Sequence, residues 1–302
     1  MTTPYRTYST RLAARTRVSS SFVRITLAGD DLGDCSPTLL DQRVKLLFGD
    51  EAALDLMLTS GEDWYAALLA AGDQRPALRT YTLVAVRPSS EDPGTSGEVD
   101  IDVAVHPVDE HQEAPGMRFA LDAPLGARTV LVAGDRTVPG HDTVGVAWRP
   151  PVSDEVLLVG DETALPAVLN IVASLPSHTH GRVVLEVPHA DDVREVPLPV
   201  GVTIEWVVRD RGERMPRVFD RAPATPDEGS SDEGASAERP SDDEPLLWDE
   251  AAAGRRPGAT RQVWIAGEAG WVRALRAEAR AAGVPKDEVS FMGYWRRGVT
   301  GS

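Results

Sequence analysis

Cysteine is nearly absent from the sequence, and long hydrophobic runs are missing. Cys35 is the only cysteine in 302 residues, which excludes a disulfide framework within the chain and any cysteine-based cluster or zinc site. No stretch approaches the roughly 20 apolar residues that a membrane-spanning helix needs, and the first residues show no apolar segment typical of a secretory signal. We therefore expect a cytoplasmic protein without a membrane span.

Lysine is also scarce, since Lys45 and Lys286 are the only two in the chain. The 31 basic residues are outnumbered by 47 acidic ones, and the formal net charge is -16. A surface this acidic argues against nucleic acid or an anionic membrane as the main partner. Because nearly all other positive charge is arginine, Lys45 stands out as a candidate functional residue.

Two different patterns divide the chain into halves. The first half has short β-type runs separated by Gly, Pro, Ser and Asp, and the run VDIDVAV alternates like a strand with one buried face. A single short helix is expected over Gly61 to Ala71. From Glu155, apolar strands alternate with helices, which indicates a parallel sheet with crossovers. We predict an antiparallel β-barrel over 1–150 and an α/β domain over 151–302.

The second half also contains an acidic segment, at about 221–245, with few large apolar side chains. Its sequence DRAPATPDEGSSDEGASAER continues into PSDDEP. Such a composition cannot bury enough surface to offset the entropy lost on ordering. We expect a disordered surface insertion there.

The turn GDETALPA joins the strand LLVG to an apolar helix. It lacks the glycine pattern of a dinucleotide-binding loop, and the chain has no G-x-x-x-x-G-K-[ST] motif. Asp161 is placed to cap the helix by accepting a hydrogen bond from an amide of its first turn, while Glu162 favours the helix dipole. Taken alone, this turn is best explained as a capped helix.

The strand LRTYTLVAV carries a second candidate site. Arg79 and Tyr81 share one face of this strand, and Thr82 lies on the other. A flavin needs a charge for its pyrophosphate, a ring to stack on and a donor for its heteroatoms, although an ordinary exposed strand can show the same pattern. A short helix starting at Pro115 or Gly116 would offer free amides to a phosphate.

Two further features lie outside these motifs. His106 ends the strand before the phosphate turn, and a loop histidine is its simpler interpretation. Tyr294 and Trp295 belong to GYWRRG near the end of the chain. Aromatic residues there either anchor the terminus or cover one face of a flavin.

The order R-x-Y-T, His, G-D-E-T-A-L-P-A, VWIAGEAGWVRALR and G-Y-W-R-x-G resembles the siderophore-interacting protein family of flavin-dependent ferric-siderophore reductases. The resemblance covers about 7–298, with the acidic segment outside it. It implies an FAD-binding barrel, a nicotinamide-binding α/β domain, and electrons passing from NADH or NADPH through FAD to ferric iron held by a siderophore. No side-chain acid or base is expected to be catalytic. The residues implied to bind FAD are Arg79, Tyr81, Thr82, His106, Pro115, Gly116, Met117, Asp161, Thr163, Ala164, Tyr294 and Trp295.

The phosphate-binding turn departs from the family pattern. The family's G-P-A-S-x-W-A turn corresponds to APGMRFA, so Met117 stands where a hydroxyl donor is usual. Pro107 replaces the glycine that follows the family's histidine. These changes predict a weaker hold on the pyrophosphate unless backbone amides and Arg118 compensate.

Basic residues are expected near the flavin because ferric siderophores are commonly anionic. Lys45 fits a family strand position, and Arg296 and Arg297 are further candidates for the substrate pocket. Each of these arginines is equally well explained as a solvated surface residue.

Two conflicting signals leave open whether NADH or NADPH is the electron donor. Arg209 and Arg211 would bind the 2′-phosphate of NADPH, whereas Asp191 or Asp192 would favour NADH. We lean slightly to NADPH. Two alternatives for the whole chain also stay open: a general NAD(P)H-flavin reductase with another acceptor, and a flavin-free siderophore-binding module.

Overall fold

Six strands in the first half of the chain close into an antiparallel barrel. The computed structural model describes residues 4–106, 114–148, 154–219, 248–249 and 261–297. The barrel strands are β1 (Tyr5–Ser19), β2 (Phe22–Gly29), β3 (Arg43–Phe48), β4 (Ala77–Pro88), β5 (Gly97–Ala104) and β6 (Arg128–Gly134). They follow the order β1-β2-β5-β4-β3-β6 around the barrel, which confirms the predicted architecture. The helices of this half are α1 (Glu51–Thr59), α2 (Trp64–Ala70) and α3 (Pro115–Asp122).

The sequence pattern does not reveal β1 or α1. The buried side chains of β1 include Thr7 and Thr10, so polar residues interrupt the apolar alternation that marks a strand. The Thr10 hydroxyl donates to the Thr129 carbonyl at 2.9 Å, which satisfies the buried polar group. The helix expected over Gly61 to Ala71 is present as α2, but a 3₁₀ turn forms its first residues.

In the part of the chain that the structure describes, five parallel strands, one short antiparallel strand and two helices form the second half. The strands are β7 (Glu155–Gly160), β8 (His180–Val187), β9 (Gly201–Val208), β10 (Trp248–Asp249), β11 (Gln262–Glu268) and β12 (Val289–Trp295), and the helices are α4 (Leu165–Ser174) and α5 (Ala269–Ala281). The sheet order is β10-β12-β11-β7-β8-β9. The parallel sheet is confirmed, but β10 adds an antiparallel edge strand beside β12 that the sequence does not indicate.

The core of the second half extends into the barrel. Helix α4 buries Leu165, Val168 and Ile171, whose spacing places them on one face of the helix. Phe22 of the barrel and residues 146–148 belong to the same cluster of buried side chains. The two halves therefore share apolar packing. The boundary predicted near residue 150 falls among 149–153, outside the described residues.

Two aspartates fasten the connection between β8 and β9 to the β1–β2 turn. Asp192 is fully buried and accepts hydrogen bonds from the hydroxyls of Ser19 at 2.6 Å and Ser21 at 2.7 Å. Asp191 accepts from the amide and hydroxyl of Ser20. Burial among these donors leaves Asp192 unavailable to the ribose of NADH, which corrects that expectation, whereas the expectation for the exposed Asp191 stays a prediction.

We expect Asp192→Ala to lower the free energy of unfolding by about 3 kcal/mol. The substitution leaves buried hydroxyl and amide donors without an acceptor. The matched control is Asp191→Ala, whose carboxylate is exposed and should therefore contribute far less stability than that of Asp192. Urea unfolding followed by circular dichroism gives both values, and equal losses for the two variants would contradict this assignment.

Three further sequence expectations concern the acidic segment, membrane-spanning helices and metal sites. The acidic segment at about 221–245 lies outside the described residues. Among the residues that the structure describes, no helix is long and apolar enough to cross a membrane. The same residues contain no group of three His, Cys, Asp or Glu side chains placed to hold a metal ion.

Candidate functional site

Strand β4 places the motif R-x-Y-T at the barrel wall. Arg79 pairs in register with Leu46, and Tyr81 pairs with Val44. Leu46 and Val44 are buried in the barrel core, so Arg79 and Tyr81 share the inward face of the strand. Thr82 is on the opposite face. The predicted division of these three side chains between two faces is confirmed.

Helix α3 begins at Pro115, as predicted, directly against Tyr81. A Cβ atom at Gly116 would lie 3.0 Å from the Tyr81 Cζ and still closer to its hydroxyl oxygen. Only glycine fits there without movement of the ring. Helix geometry leaves the amides of Gly116 and Met117 without partners inside the helix, whereas the Arg118 amide already donates to the Ala114 carbonyl at 2.9 Å.

The side chains around this helix start are mainly apolar. Met117 and Phe119 pack against the barrel core beside Tyr81, and the rings of Phe119 and Phe48 lie 5.2 Å apart. Burial raises the pKa of Tyr81 to about 12, although Arg79 opposes the shift. The Tyr81 hydroxyl is therefore a protonated donor at neutral pH. The backbone is the part of this turn that can bind a phosphate.

The turn between β7 and α4 is built around Asp161, but its carboxylate does not cap the helix. Ala164 is the N-cap residue of α4 and makes no side-chain cap. The Asp161 Oδ1 instead accepts from the amide of Thr163 at 2.9 Å and from its hydroxyl at 2.6 Å. This corrects the expected cap, because the carboxylate satisfies the turn that precedes the helix.

The other oxygen of Asp161 joins three strand ends. Its Oδ2 accepts from the Glu268 amide at 2.8 Å and from the Trp295 indole nitrogen at 2.8 Å. Glu268 ends β11, Trp295 ends β12, and Asp161 follows β7. Burial and the nearby Glu162 raise the pKa of Asp161 to about 6, against the hydrogen bonds from Thr163 and Trp295. This single carboxylate therefore fixes the position of the Trp295 ring.

Tyr294 lies close to barrel residues at the same strand ends. Its ring packs edge-on against Trp264 with centroids 6.3 Å apart. Burial raises the pKa of Tyr294 well above its ordinary value; the nearby Asp41 raises it further, and Arg43 lowers it. Arg43 is the register partner of Thr82 on the barrel wall. Tyr294 and Thr82 therefore approach the same barrel residue.

The sequence analysis did not identify Asp41 or Glu268. Asp41 is buried and accepts from the Trp148 amide at 3.0 Å and the Trp264 indole nitrogen at 2.9 Å, and nothing near it in the sequence marks it. Glu268 caps α5 by accepting from the Trp271 amide at 2.8 Å. An acid after a glycine at the end of an apolar strand was the available signal for Glu268, since Gly267 and Glu268 end β11 and Gly160 ends β7 just before Asp161.

The remaining predicted site residues are dispersed. His106 is exposed, two residues beyond the end of β5. The Lys45 Nζ donates to the Thr80 hydroxyl at 2.6 Å, and burial together with Arg43 lowers the pKa of Lys45 to about 8. Arg296, two residues after Tyr294, is partly buried, and Arg297, the next residue, is exposed. Arg209 and Arg211 lie beyond the end of β9.

Family comparisons agree with this two-part architecture. A family model described as the siderophore-interacting FAD-binding domain matches residues 11–137. A second model, described as the siderophore-interacting protein, matches residues 153–298.

The chain belongs to the siderophore-interacting protein family.

Several known proteins are similar to this siderophore-interacting protein. An uncharacterized protein of Mycobacterium tuberculosis is 30% identical over 298 residues, which are 96% of this chain and 90% of the relative. Ferric vibriobactin reductase ViuB of Vibrio cholerae is 29% identical over 203 residues. That match covers 66% of this chain and 65% of the reductase. The crystal structure of the siderophore-interacting protein SipS from Aeromonas hydrophila superposes with a TM-score of 0.62 at 23% identity, covering 98% of this chain and 94% of SipS.

The residues of this siderophore-interacting protein fit an FAD molecule. The glycine at position 116 keeps α3 close to the Tyr81 ring, and helix geometry directs two amides outward at that point. A pyrophosphate at these amides would lie next to a ring able to stack on a flavin. Met117 removes one hydroxyl donor but leaves this backbone arrangement intact.

We expect Arg79→Ala to weaken FAD binding about tenfold or more, because the barrel loses a guanidinium on the face that carries Tyr81. The matched control is Arg87→Ala on the same strand. The Arg87 guanidinium binds Asp100 at 2.6 Å, and its loss should leave FAD affinity unchanged. Fluorescence titration with FAD measures both, and an Arg79→Ala variant that binds FAD as tightly as the parent protein would refute the assignment.

Proposed function

We propose that this protein reduces ferric iron held by a siderophore, using electrons from a reduced nicotinamide nucleotide that pass through FAD. The observation that carries the proposal is the position of Tyr294 near the end of β12, where its ring packs on Trp264 and lies close to Arg43, the register partner of Thr82 on the barrel. The similarity to ferric vibriobactin reductase supports the choice of acceptor. A cytoplasmic location is part of the proposal, because reduced nicotinamide nucleotides are available there.

FAD, when bound, would supply the chemistry that accepts a hydride and passes on single electrons. The chain's own residues bind and orient the reactants. The start of α3 and Arg79 would hold the pyrophosphate, and the Tyr81 ring would support the flavin. The Asp161 carboxylate holds Trp295 at the opposite side of the junction. Proton transfer by a side chain is not required for electron transfer to iron.

The acceptor side of the proposal depends on positive charge close to the flavin. Lys45 is the strongest candidate, because it lies on β3 next to Arg43, whose register partner is Thr82. Its pKa of about 8 means that the ammonium form still dominates at neutral pH. Arg296 and Arg297 follow the aromatic pair on β12 and would extend this charge. Together these residues would attract an anionic ferric complex to an otherwise acidic protein.

Two measurements test the proposal. The first is the visible spectrum of the purified protein before and after mixing with FAD, where flavin bands that stay with the protein are expected. The second is anaerobic reduction of a ferric siderophore, followed with a ferrous chelator after addition of NADH or NADPH. A protein that stays colourless with FAD, or a loaded protein that oxidises nicotinamide without forming ferrous iron, would refute the proposal.

A further inference from the structure

The ends of β7, β8 and β9 carry more negative than positive charge. Ligands of open α/β sheets bind at the carboxyl ends of the strands, where an acidic residue pairs with the ribose 2′-hydroxyl of NAD and an arginine accommodates the 2′-phosphate of NADP. Charged side chains at this edge include Glu162, Glu186, Arg209, Asp210, Arg211 and Glu213. In this set four carboxylates stand against two guanidiniums, and Asp161, directly after β7, adds a further carboxylate, so the edge is negative.

Arg209 is held by two of these carboxylates. Its Nη1 and Nη2 donate to the two oxygens of Glu162 at 2.8 and 2.7 Å, and its Nη1 also donates to Glu186 at 2.9 Å. Burial works against the charged form, but the hydrogen bonds that Arg209 donates to Glu162 and Glu186, together with their negative charge, outweigh it and raise the pKa of Arg209. A phosphate could use this guanidinium only by displacing carboxylates that already match its geometry.

Arg211 is a poor substitute for Arg209 as a phosphate-binding residue. It is exposed, and its nearest recorded carboxylate is Glu213 at 3.9 Å. The adjacent Asp210 carboxylate lies 3.4 Å from the His189 ring. A 2′-phosphate bound by Arg211 would therefore lie near the Glu213 carboxylate and one residue along the chain from Asp210. The phosphate's negative charge of nearly two would be repelled by the Asp210 and Glu213 carboxylates.

We infer that Glu162 and Glu186 select NADH over NADPH by occupying Arg209 and leaving a net negative edge for the ribose. The inference rests on the proposed function, and it reverses the slight lean toward NADPH drawn from the sequence. Glu186 keeps partial access to solvent, with 23% of its side chain exposed, so its carboxylate can also accept from a ribose hydroxyl. Glu162 is almost fully buried and serves mainly to hold Arg209.

The first test compares the two donors on the FAD-loaded protein. Flavin bleaching under anaerobic conditions should give a second-order rate constant about tenfold higher with NADH than with NADPH. Calorimetry with the oxidised nucleotides, which do not react, should show the same order of affinity for NAD and NADP. Equal or stronger binding of NADP, or faster bleaching by NADPH, would overturn the inference.

The second test uses matched variants. Glu186→Gln removes one charge and keeps the side chain's size, and it should reduce the preference for NADH at least threefold by improving NADP binding and NADPH reactivity. The control is Glu205→Gln, because Glu205 binds Arg182 at 2.6 Å across the same two strands, β8 and β9. This control should leave the preference unchanged. An unchanged preference in Glu186→Gln would overturn the role of Glu186.

These outcomes separate the inference from the proposed function. If neither nucleotide bleaches bound flavin, the proposed electron path fails. If both bleach it and NADPH is the better donor, the path stands and the inference about Glu162 and Glu186 fails.

Discussion

Replacing Gly116 with alanine is expected to weaken FAD binding by about 5- to 150-fold. The added methyl group would overlap the Tyr81 hydroxyl, and its distance to the ring carbon Cζ would be only 3.0 Å. Either the ring or the start of α3 must then move, and such overpacking typically costs about 1–3 kcal/mol. Both groups are proposed FAD contacts, so the cost should appear as lost affinity in a fluorescence titration.

The Tyr81 hydroxyl provides a control for this prediction. Tyr81→Phe keeps the ring and removes the oxygen that the methyl group would meet. We expect the single variant to retain FAD and the double variant, with Gly116→Ala, to recover part of the lost affinity. A double variant that binds no better than Gly116→Ala would show that the methyl group acts through some contact other than this hydroxyl.

Replacing Asp161 with alanine is expected to lower the free energy of unfolding by about 3 kcal/mol and to release the Trp295 ring. The substitution leaves the Thr163 amide and hydroxyl, the Glu268 amide and the Trp295 indole without their acceptor. Buried donors that lose a charged partner commonly cost this much. Urea unfolding measures the loss, and a loss below about 1 kcal/mol would contradict the role assigned to Asp161.

Asp161→Asn gives a pH-dependent version of this experiment. The pKa of Asp161 is raised to about 6 in the folded protein, against about 4 in an unfolded chain. The folded state therefore binds this proton more readily, and its contribution to stability grows as the pH falls through 6 and is lost as the pH rises. The parent protein should gain about 1 kcal/mol relative to Asp161→Asn between pH 7 and pH 5. A constant difference over this interval would contradict the raised pKa.

The fold was largely predictable because its strongest signals are local. The alternation in VDIDVAV and the apolar strand-helix-strand pattern after Glu155 depend only on neighbouring residues. Strand β1 was not predicted from the sequence, because Thr7 and Thr10 occupy two of its buried positions. The Thr10 hydroxyl donates to the Thr129 carbonyl, which only the closed barrel brings near it, and a linear pattern does not show this partner.

The candidate site was less predictable because its partners are distant in sequence. The turn at Asp161 was recognised from its motif, but the carboxylate's partner Trp295 is 134 residues away. Glu162 and Arg209 are 47 residues apart and meet only because β9 lies two strands from β7 in the sheet. The sequence analysis assigned Arg209 to a phosphate. Residue type alone does not show that Glu162 and Glu186 already neutralise the Arg209 guanidinium.

The contacts between the barrel and the α/β half are expected to couple the unfolding of the two halves. Phe22 sits in the core of the other half, the Arg194 guanidinium lies 5.0 Å from its ring, and that guanidinium also binds Asp102 at 2.9 Å. Loss of either half would strip these groups of their partners. We therefore expect the two regions matched by separate family models to unfold together, in a single calorimetric transition.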